Sequence, residues 1–460
     1  MINAPLGMGR FVLAGLLAAI MAASAEASPD WGRSHSPHRS GAVLATPYQI
    51  RTEREILRIV SSMAMQAEIA KVVALYAADP QGKTPAGKAR IQVAAHSIAV
   101  AAAQYAVGED SDRPGILWTV NAPHHWHHLI VPRSGYGIDN PDNVYRSFSV
   151  AGSARYTVRG HFPPNRPAEL HFEMRDAIPG TTAMTAEGGK QLSTLRSDEI
   201  VTDGQGNFTI TVDSKPANGR PNHLQTPEKG KVLVVVRDLF TDWATQEPTA
   251  LSIQRIDGPP IAPAPHHTEF IKRATALLRQ IAPYWVNYDN QFLFSRPANQ
   301  LSAARMRPGG RGISASAHFA LKPDEAWVIT VDAIGAQSLG VQLCDPWGVA
   351  YDYATRTSSL NRTQAKPNAD GTYTFVVSER DPGVYNWLDP QGQPAGILVI
   401  RWQSLPPGAK ADDAIRSAQL VPIAQLRNVL PEGTVFTSLA DRQAQRAARA
   451  AQYRRRLKAR

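Results

Sequence analysis

One stretch of this chain is written twice. Tyr156-Thr157-Val158, LHFEMRD (Leu170 to Asp176), DGQGNFTITV (Asp203 to Val212) and VLVVV (Val232 to Val236) come first. WVITV (Trp327 to Val331), LGVQLCD (Leu339 to Asp345), DGTYTFVV (Asp370 to Val377) and ILVIR (Ile397 to Arg401) follow in the same order. The offset drifts only from 171 to 165 residues, measured from Tyr156 to Trp327, Leu170 to Leu339, Phe208 to Tyr373 and Val232 to Ile397. Each segment alternates apolar and polar residues, or is a short apolar run bounded by Gly, Asp and Asn, which is the pattern of strands. Two copies of one β-unit must each close around a core. The expectation is an α+β, β-dominated protein: two related antiparallel β-sandwich or jelly-roll-like units, with an N-terminal helical hairpin and a C-terminal basic helix.

The first 27 residues have the form of a secretory signal. Arg10 supplies charge, FVLAGLLAAIMAA (Phe11 to Ala23) the apolar stretch, and Ala25-Glu26-Ala27 a small-residue cleavage site. The apolar run is shorter than the ~20 residues a membrane span needs. An uncleaved anchor is the competing reading. No paired Arg precedes the run and no Cys follows it, so neither a twin-Arg signal nor a lipid anchor is indicated. A soluble protein of the periplasm or the exterior, with no transmembrane span, is expected.

Cys344 is the only cysteine and cannot form an intrachain disulfide. Within LGVQLCD it reads as a buried inert thiol, not a nucleophile. The net charge of +10 is concentrated at one end: Arg442, Arg446, Arg449, Arg454, Arg455, Arg456, Lys458 and Arg460 face only Asp441. The remainder carries little net charge and no basic patch with interleaved aromatics, so no nucleic-acid partner is expected.

Residues 28–47, rich in Ser, Pro, His and Arg, read as a flexible leader. A helical hairpin follows over 48–112. Thr52-Glu53-Arg54-Glu55 has the form of a capping box, Asp79-Pro80 ends the first arm, and Thr84-Pro85 opens the second. The first β-unit spans 113–256; in it Leu170, Phe172 and Met174 face a core while His171, Glu173 and Arg175 face water. A Pro-rich linker and a helix ended by Pro283 occupy 257–312, and the second β-unit 313–404. A helical tail takes 405–460, capped at Ser438-Leu439-Ala440-Asp441. It reads as a solvated helix packed by its alanines, since Leu439 and Leu457 are its only large aliphatics.

Four constellations could carry chemistry. DPGVYNWLD (Asp381 to Asp389) lies in a long connection between two strands, where sites on rigid sheets tend to sit. Asp381, Asn386 and Trp387 offer polar groups and a flat ring; the plainer reading is a turn and a tryptophan that plugs the sheet. LCDPWGVAYDYATRTSSLN supplies Asp345, Trp347, Asp352, Tyr353 and Asn361, although Asp176 at the matching strand end points to a shared turn. GYGIDNPDNVYR supplies Tyr136, Asp142 and Arg146, with turn chemistry explaining its Asn and Asp residues. Arg401 interrupts ILVIRW with a charge that a buried strand accepts only when paired. Trp387, Asn386, Asp381, Asp345 and Arg401 are therefore expected to converge on one cavity. The fourth constellation is His124, His125, His127 and His128. Its spacing is tighter than that of a preformed metal site, so neither an intrinsic metal nor a cofactor is expected. Serine-hydrolase, zincin, P-loop and dinucleotide motifs do not occur.

DNPDNVYR (Asp139 to Arg146), LCDPW, DYATRTSSLN (Asp352 to Asn361), DPGVYNWLD, ILVIRW and LVPIAQLRNVLP (Leu420 to Pro431) together resemble a bacterial family known as domain of unknown function twelve-fourteen, with its companion twelve-fifty-four. The resemblance spans roughly 113 to 457. It implies a two-part β-sandwich with helical additions and no established reaction, so it carries over no catalytic residue.

The expected function is that of an exported protein whose polar, aromatic-lined pocket binds a saccharide or aromatic small molecule. A carbohydrate-active hydrolase or lyase using the same pocket is the alternative, and a structural envelope protein without a pocket a further one. The address has a direct check. The intact mass of the exported protein should lack residues 1–27, or 1–25 if cleavage follows Ala25; a full-length product in the membrane fraction would refute the signal.

Overall fold

The computed structural model describes residues 43–126, 128–185, 189–307, 309–310 and 312–457. The signal segment and most of the leader lie outside these residues.

Helix α1 (Pro47–Val60) begins earlier than the Thr52 capping box implied. Pro47 takes the first helical position, and Thr46 Oγ1 accepts the Gln49 N–H at 3.1 Å. Leu44, in the expected flexible leader, is buried. The shift turns Thr52 and Glu53 into buried mid-helix residues. The apolar stripe then breaks at Ser61-Ser62. Ser62 caps α2 (Met63–Ala78), which bends 70° from α1. Asp79 caps the single turn α3 (Pro80–Lys83), and Thr84 caps α4 (Pro85–Gly108), the second arm of the hairpin. Among the described residues no single helix is long and apolar enough to cross a membrane.

The hairpin buries its apolar faces on a later helix, α5 (His267–Asp289), through Ile59, Val72, Ile98, Leu278 and Ile281. Pro283 does not end α5, contrary to the sequence expectation. The helix runs through it and continues into one π turn at Asn290–Phe294. An interior proline costs about 3 kcal/mol; burial of Tyr284, Val286 and Leu293 beyond it offsets that cost.

Between the hairpin and α5 lies the first β-unit. Strand β1 (Leu117–Thr119) is followed by a small separate hairpin of β2 (His124–Trp126) and β3 (Leu129–Val131). Then come β4 (Asn143–Ala151), β5 (Arg155–His161), β6 (Glu169–Arg175), β7 (Gln191–Arg196), β8 (Asn207–Asp213), β9 (His223–Gln225), β10 (Lys231–Leu239) and β11 (Ala250–Asp257). They form two sheets, β1-β4-β10-β6-β7 and β11-β5-β8-β9. Phe148, Phe172, Ile210 and Val234 fill the space between them.

The second β-unit contains β12 (Arg305–Met306), β13 (Ile313–Ala320), β14 (Glu325–Val331), β15 (Ser338–Cys344), β16 (Ser359–Asn361), β17 (Tyr373–Ser378), β18 (Trp387–Leu388), β19 (Ala395–Gln403) and β20 (Ile415–Pro422). Its sheets are β12-β13-β19-β15-β16 and β20-β14-β17-β18, the same order position for position. Even the irregular feature repeats: β8 pairs with β9, and β17 with β18, in parallel. Trp327, Leu343, Phe375 and Trp402 fill this second core. Strands β12 and β20 lie outside the expected bounds of 313–404. The segment from 405, expected to be helical, thus contributes a strand, and β20 is exposed along most of its length.

After α6 (Leu426–Val429), the tail forms α7 (Leu439–Arg455), opened by a capping box between Ser438 and Asp441. Its packed face is not the alanine face. Arg442, Arg449, Tyr453 and, just beyond, Arg456 are buried. Arg449 donates to the Tyr353 carbonyl, to Gln364 and to Ser359 Oγ of the second unit, and stacks 4.4 Å over Trp243 of the first. Arg456 donates to the Pro141 carbonyl and lies 4.1 Å over the same ring. The basic tail is a clamp across both units. Arg449→Ala strands three acceptors and should cost about 3 kcal/mol in denaturant unfolding, whereas Arg454→Ala, on the exposed face, should stay within about 0.5 kcal/mol.

Candidate functional site

Side chains alternate along a strand, so each sheet that fills its core with one set of residues presents the other set outward. On β10 the outward set includes Val235 and Arg237, and on β4 Tyr145 and Ser147. On β19 it includes Val399 and Arg401, and on β13 Ser314 and Ser316. These two faces, one from each repeat, look into a cavity of about 810 Å³.

Their residues correspond in register. Arg237 lies opposite Tyr145 on one side and His171 on the other, diagonal to Glu173. Arg401 lies opposite Ser314 and Gly340, diagonal to Gln342. The in-phase offset is therefore 164 residues, from Arg237 to Arg401. The Val232-to-Ile397 alignment of the sequence analysis is out by one residue. Val232 packs in the core of its sandwich and Ile397 packs outside its own, and a one-residue slip exchanges the faces of a strand.

A wall of aromatic rings closes the cleft from the helical side. Tyr105 of α4 and Tyr136 meet edge to face at 6.3 Å, and the Tyr136 hydroxyl donates to that of Tyr105 at 2.7 Å. Burial holds the Tyr136 phenol well above its ordinary pKa. Contacts continue from Tyr136 to Trp285 at 5.7 Å, to Tyr288 at 5.1 Å and to Phe292 at 4.8 Å. Trp285 and Tyr288 stand one helical turn apart on α5, and the π turn carries Phe292 into the same stripe. Gly137 makes the approach of Trp285 feasible: its φ is +61°, and a Cβ there would sit 2.9 Å from the indole.

The cleft is rich in guanidinium groups, and the two walls balance them differently. On the first wall Glu173 accepts from both Arg175 and Arg237, and Glu169 lines the cavity nearby. On the second wall Arg401 donates to Gln342 Oε1 and to the Ile138 carbonyl, and Arg296 to the carbonyl and hydroxyl of Ser316. All of these acceptors are neutral. Arg305 adds an exposed charge at the rim. Among the described residues, the buried lining atoms Trp285 Nε1, Arg296 Nε and Asn143 Oδ1 have no hydrogen-bond partner.

Of the residues singled out in the sequence, Arg401 and Tyr136 line this cleft. The convergence expected of Trp387, Asn386, Asp381 and Asp345 with Arg401 does not occur. Trp387 is buried, donates to the Ser378 carbonyl and lies 5.3 Å beneath the Arg442 guanidinium, so it plugs the sheet. Asp381 pairs with Arg442 of α7 at 2.8 Å, which uses the carboxylate to dock the tail. Asn386 bridges the Lys366 backbone and the Thr374 carbonyl. Asp345 accepts from Arg90 and from the amides of its own turn, and Trp347 stacks on Tyr76 at 4.4 Å; both tie the helices to the second unit. Asp352 caps the turn at Ala354 and Thr355, and Tyr353 packs edge-on to Tyr453. Asp142 accepts from Trp243 and from Asn361 of the other repeat, while Arg146 is sealed against Asp238 and the Thr249 carbonyl. Arg401 does not pair with one of the expected aspartates.

The face of LHFEMRD expected to be wet is buried: His171, Glu173 and Arg175 lie under the cleft. His124 is a core residue between Glu53 and the Ala122 carbonyl, His125 and His128 are exposed, and His127 lies outside the described residues. No group of three His, Cys, Asp or Glu among the described residues is placed to hold a metal ion. Sequence reading missed Arg237, Trp285, Tyr288 and Arg296. Only Arg237 had a signal, as the in-phase counterpart of Arg401.

The fold and cleft define a duplicated β-sandwich protein with a cavity between its repeats. The chain is similar to a crystal structure of an uncharacterized protein from Burkholderia cenocepacia, with a TM-score of 0.63 and 23% identity over 80% of this chain and 99% of that one. That likeness shows the fold. A Vibrio parahaemolyticus protein matches with a TM-score of 0.39 and 9% identity over 62% of this chain and 90% of its own, too distant to carry an argument. No family model and no curated protein matches the chain.

Asp139 also lines the cleft, and burial pushes its carboxyl up to about 6 against the pull of Arg133 and Arg401. The native state therefore holds a proton that the unfolded chain releases near pH 4. The stabilisation this gives is fully present below about pH 4 and is lost as pH rises through about 6. Between those limits wild type should lose up to about 3 kcal/mol relative to Asp139→Asn, read as the pH dependence of unfolding free energy.

Proposed function

We propose that this is an exported ligand-binding protein that seats an anionic, ring-bearing small molecule between its two repeats. Acidic saccharides and aromatic acids are the classes that fit. The observation that carries this reading is the pairing of an aromatic wall with guanidinium groups that outnumber the carboxylates around them. Flat apolar rings favour the faces of sugars and aromatics, and arginine presents a planar fork suited to a carboxylate. A volume near 810 Å³ lies within the range of ligand pockets. The unpartnered Trp285 N–H and Asn143 oxygen add one donor and one acceptor for such a ligand.

A lyase acting on the same ligand is the second reading. It is favoured by one contact, the Arg237 guanidinium 5.7 Å from the Tyr145 ring, which sets a phenol beside a cation.

Calorimetric titration with uronate oligosaccharides and hydroxybenzoates should detect saturable binding, and Trp285→Ala should weaken it about tenfold or more. A lyase would in addition release an unsaturated, ultraviolet-absorbing product that Tyr145→Phe abolishes. Absence of binding by every acid in both series would leave the structural-protein reading.

A further inference from the structure

We infer that Gln342 sets the charge preference of the cleft: it holds Arg401 in place without cancelling its charge, so that Arg401 takes the single carboxylate of a hydroxyl-bearing ring. This inference rests on the ligand-binding role proposed above.

The argument comes from the duplication. Arg237 is opposite His171 and reaches diagonally to Glu173, and Arg401 is opposite Gly340 and reaches diagonally to Gln342. Glu173 and Gln342 therefore occupy one lattice position in two copies of the same sheet. In the first copy two guanidiniums, those of Arg175 and Arg237, converge on one buried carboxylate. In the second copy Cys344 stands where Arg175 stands, and the acceptor is an amide. The amide is orientated by its own partners: Gln342 Nε2 donates to the Asp139 carbonyl at 2.6 Å and to Cys344 Sγ at 3.1 Å, which turns Oε1 toward Arg401. The other terminal nitrogen of Arg401 donates to the Ile138 carbonyl at 2.6 Å. The Asp139 carboxyl acts on this guanidinium through its charge, and its Oδ1 accepts from the Ala350 amide.

A buried cation met only by neutral acceptors retains its field, and an arriving anion gains what an ion pair would otherwise have consumed. The opposite wall, where Glu173 and Glu169 offset Arg175 and Arg237, offers no such gain to a second anion. It favours the uncharged part of the ligand, with Asn143 Oδ1 to accept from a hydroxyl and Trp285 Nε1 to donate to an oxygen. One carboxylate on a hydroxylated ring is the chemistry described, whether from a uronic acid or from a hydroxybenzoate.

The test compares acids with neutral analogues by calorimetry: glucuronate against glucose, and 4-hydroxybenzoate against 4-hydroxybenzyl alcohol. Wild type should bind the acid of one pair at least about tenfold more tightly than its neutral partner, and the pair that does so identifies the source. Gln342→Glu, which recreates in the second repeat the ion pair of the first, should erase this preference, so that acid and neutral partner bind alike. Arg401→Gln should do the same and Arg401→Lys should retain it, each with near-ultraviolet circular dichroism like wild type. Persistence of the acid preference in folded Gln342→Glu or folded Arg401→Gln overturns the inference but leaves the binding role standing. Equal binding of acid and neutral partner by wild type overturns it as well. Wild type that binds none of the four compounds overturns both.

Discussion

A guanidinium keeps its charge throughout the cellular pH range, so an arginine removed from water must be met by acceptors or aromatic faces. The seams of this fold are built on that requirement. Arg90 reaches from α4 to Asp345 of the second unit, Arg401 to the loop that enters the first, and Arg449 and Arg456 from the tail to both. Burial pushes Arg449 down to about 9, a measure of how thoroughly its surroundings exclude water. Such contacts add little stability over an apolar seam, but removing either partner strands the other. They fix one relative placement of helices, sandwiches and tail, and the cleft exists only in that placement.

The same requirement shapes the outer faces of the two large sheets, which look into the cleft. His171, Glu173 and Arg175 alternate outward along β6, yet they are buried. Polar groups cross the seam to meet one another. Asn140 donates to Gln403, Ser404 to Glu169, and Asn361 to Asp142. Gly340 shows the fit required: a Cβ there would lie 2.6 Å from an Asp142 oxygen.

The repeat was legible because period-two alternation and Gly-Asp turns are local signals. The tail helix start was legible for the same reason, its capping box being contained within Ser438 to Asp441. Features that depend on partners distant in sequence were not legible. The alanines of α7 promise a packed face, but Trp243 and Trp387 lie where arginines can stack, so the arginines turn inward. DPGVYNWLD has the composition of a binding loop, and α7 covers it. Pro283 reads as a stop until burial of the turns beyond it is known. The aromatic stripe of α5 was hidden by that same expectation, because Trp285, Tyr288 and Phe292 fall past the supposed end of the helix.

Duplication gives each strand position of the cleft a counterpart, so what the cleft can distinguish lies in the differences between counterparts. Tyr145 faces Arg237 in one copy, and Ser314 takes its place beside Arg401 in the other. Arg175 corresponds to Cys344 and Glu173 to Gln342. One wall is thus large, charged and internally balanced, and the other is small, with Arg401 and Arg296 hydrogen-bonded to neutral groups. Unequal walls leave volume where the serines stand and a field where the amide stands, and both follow from substitutions that keep the strand register intact.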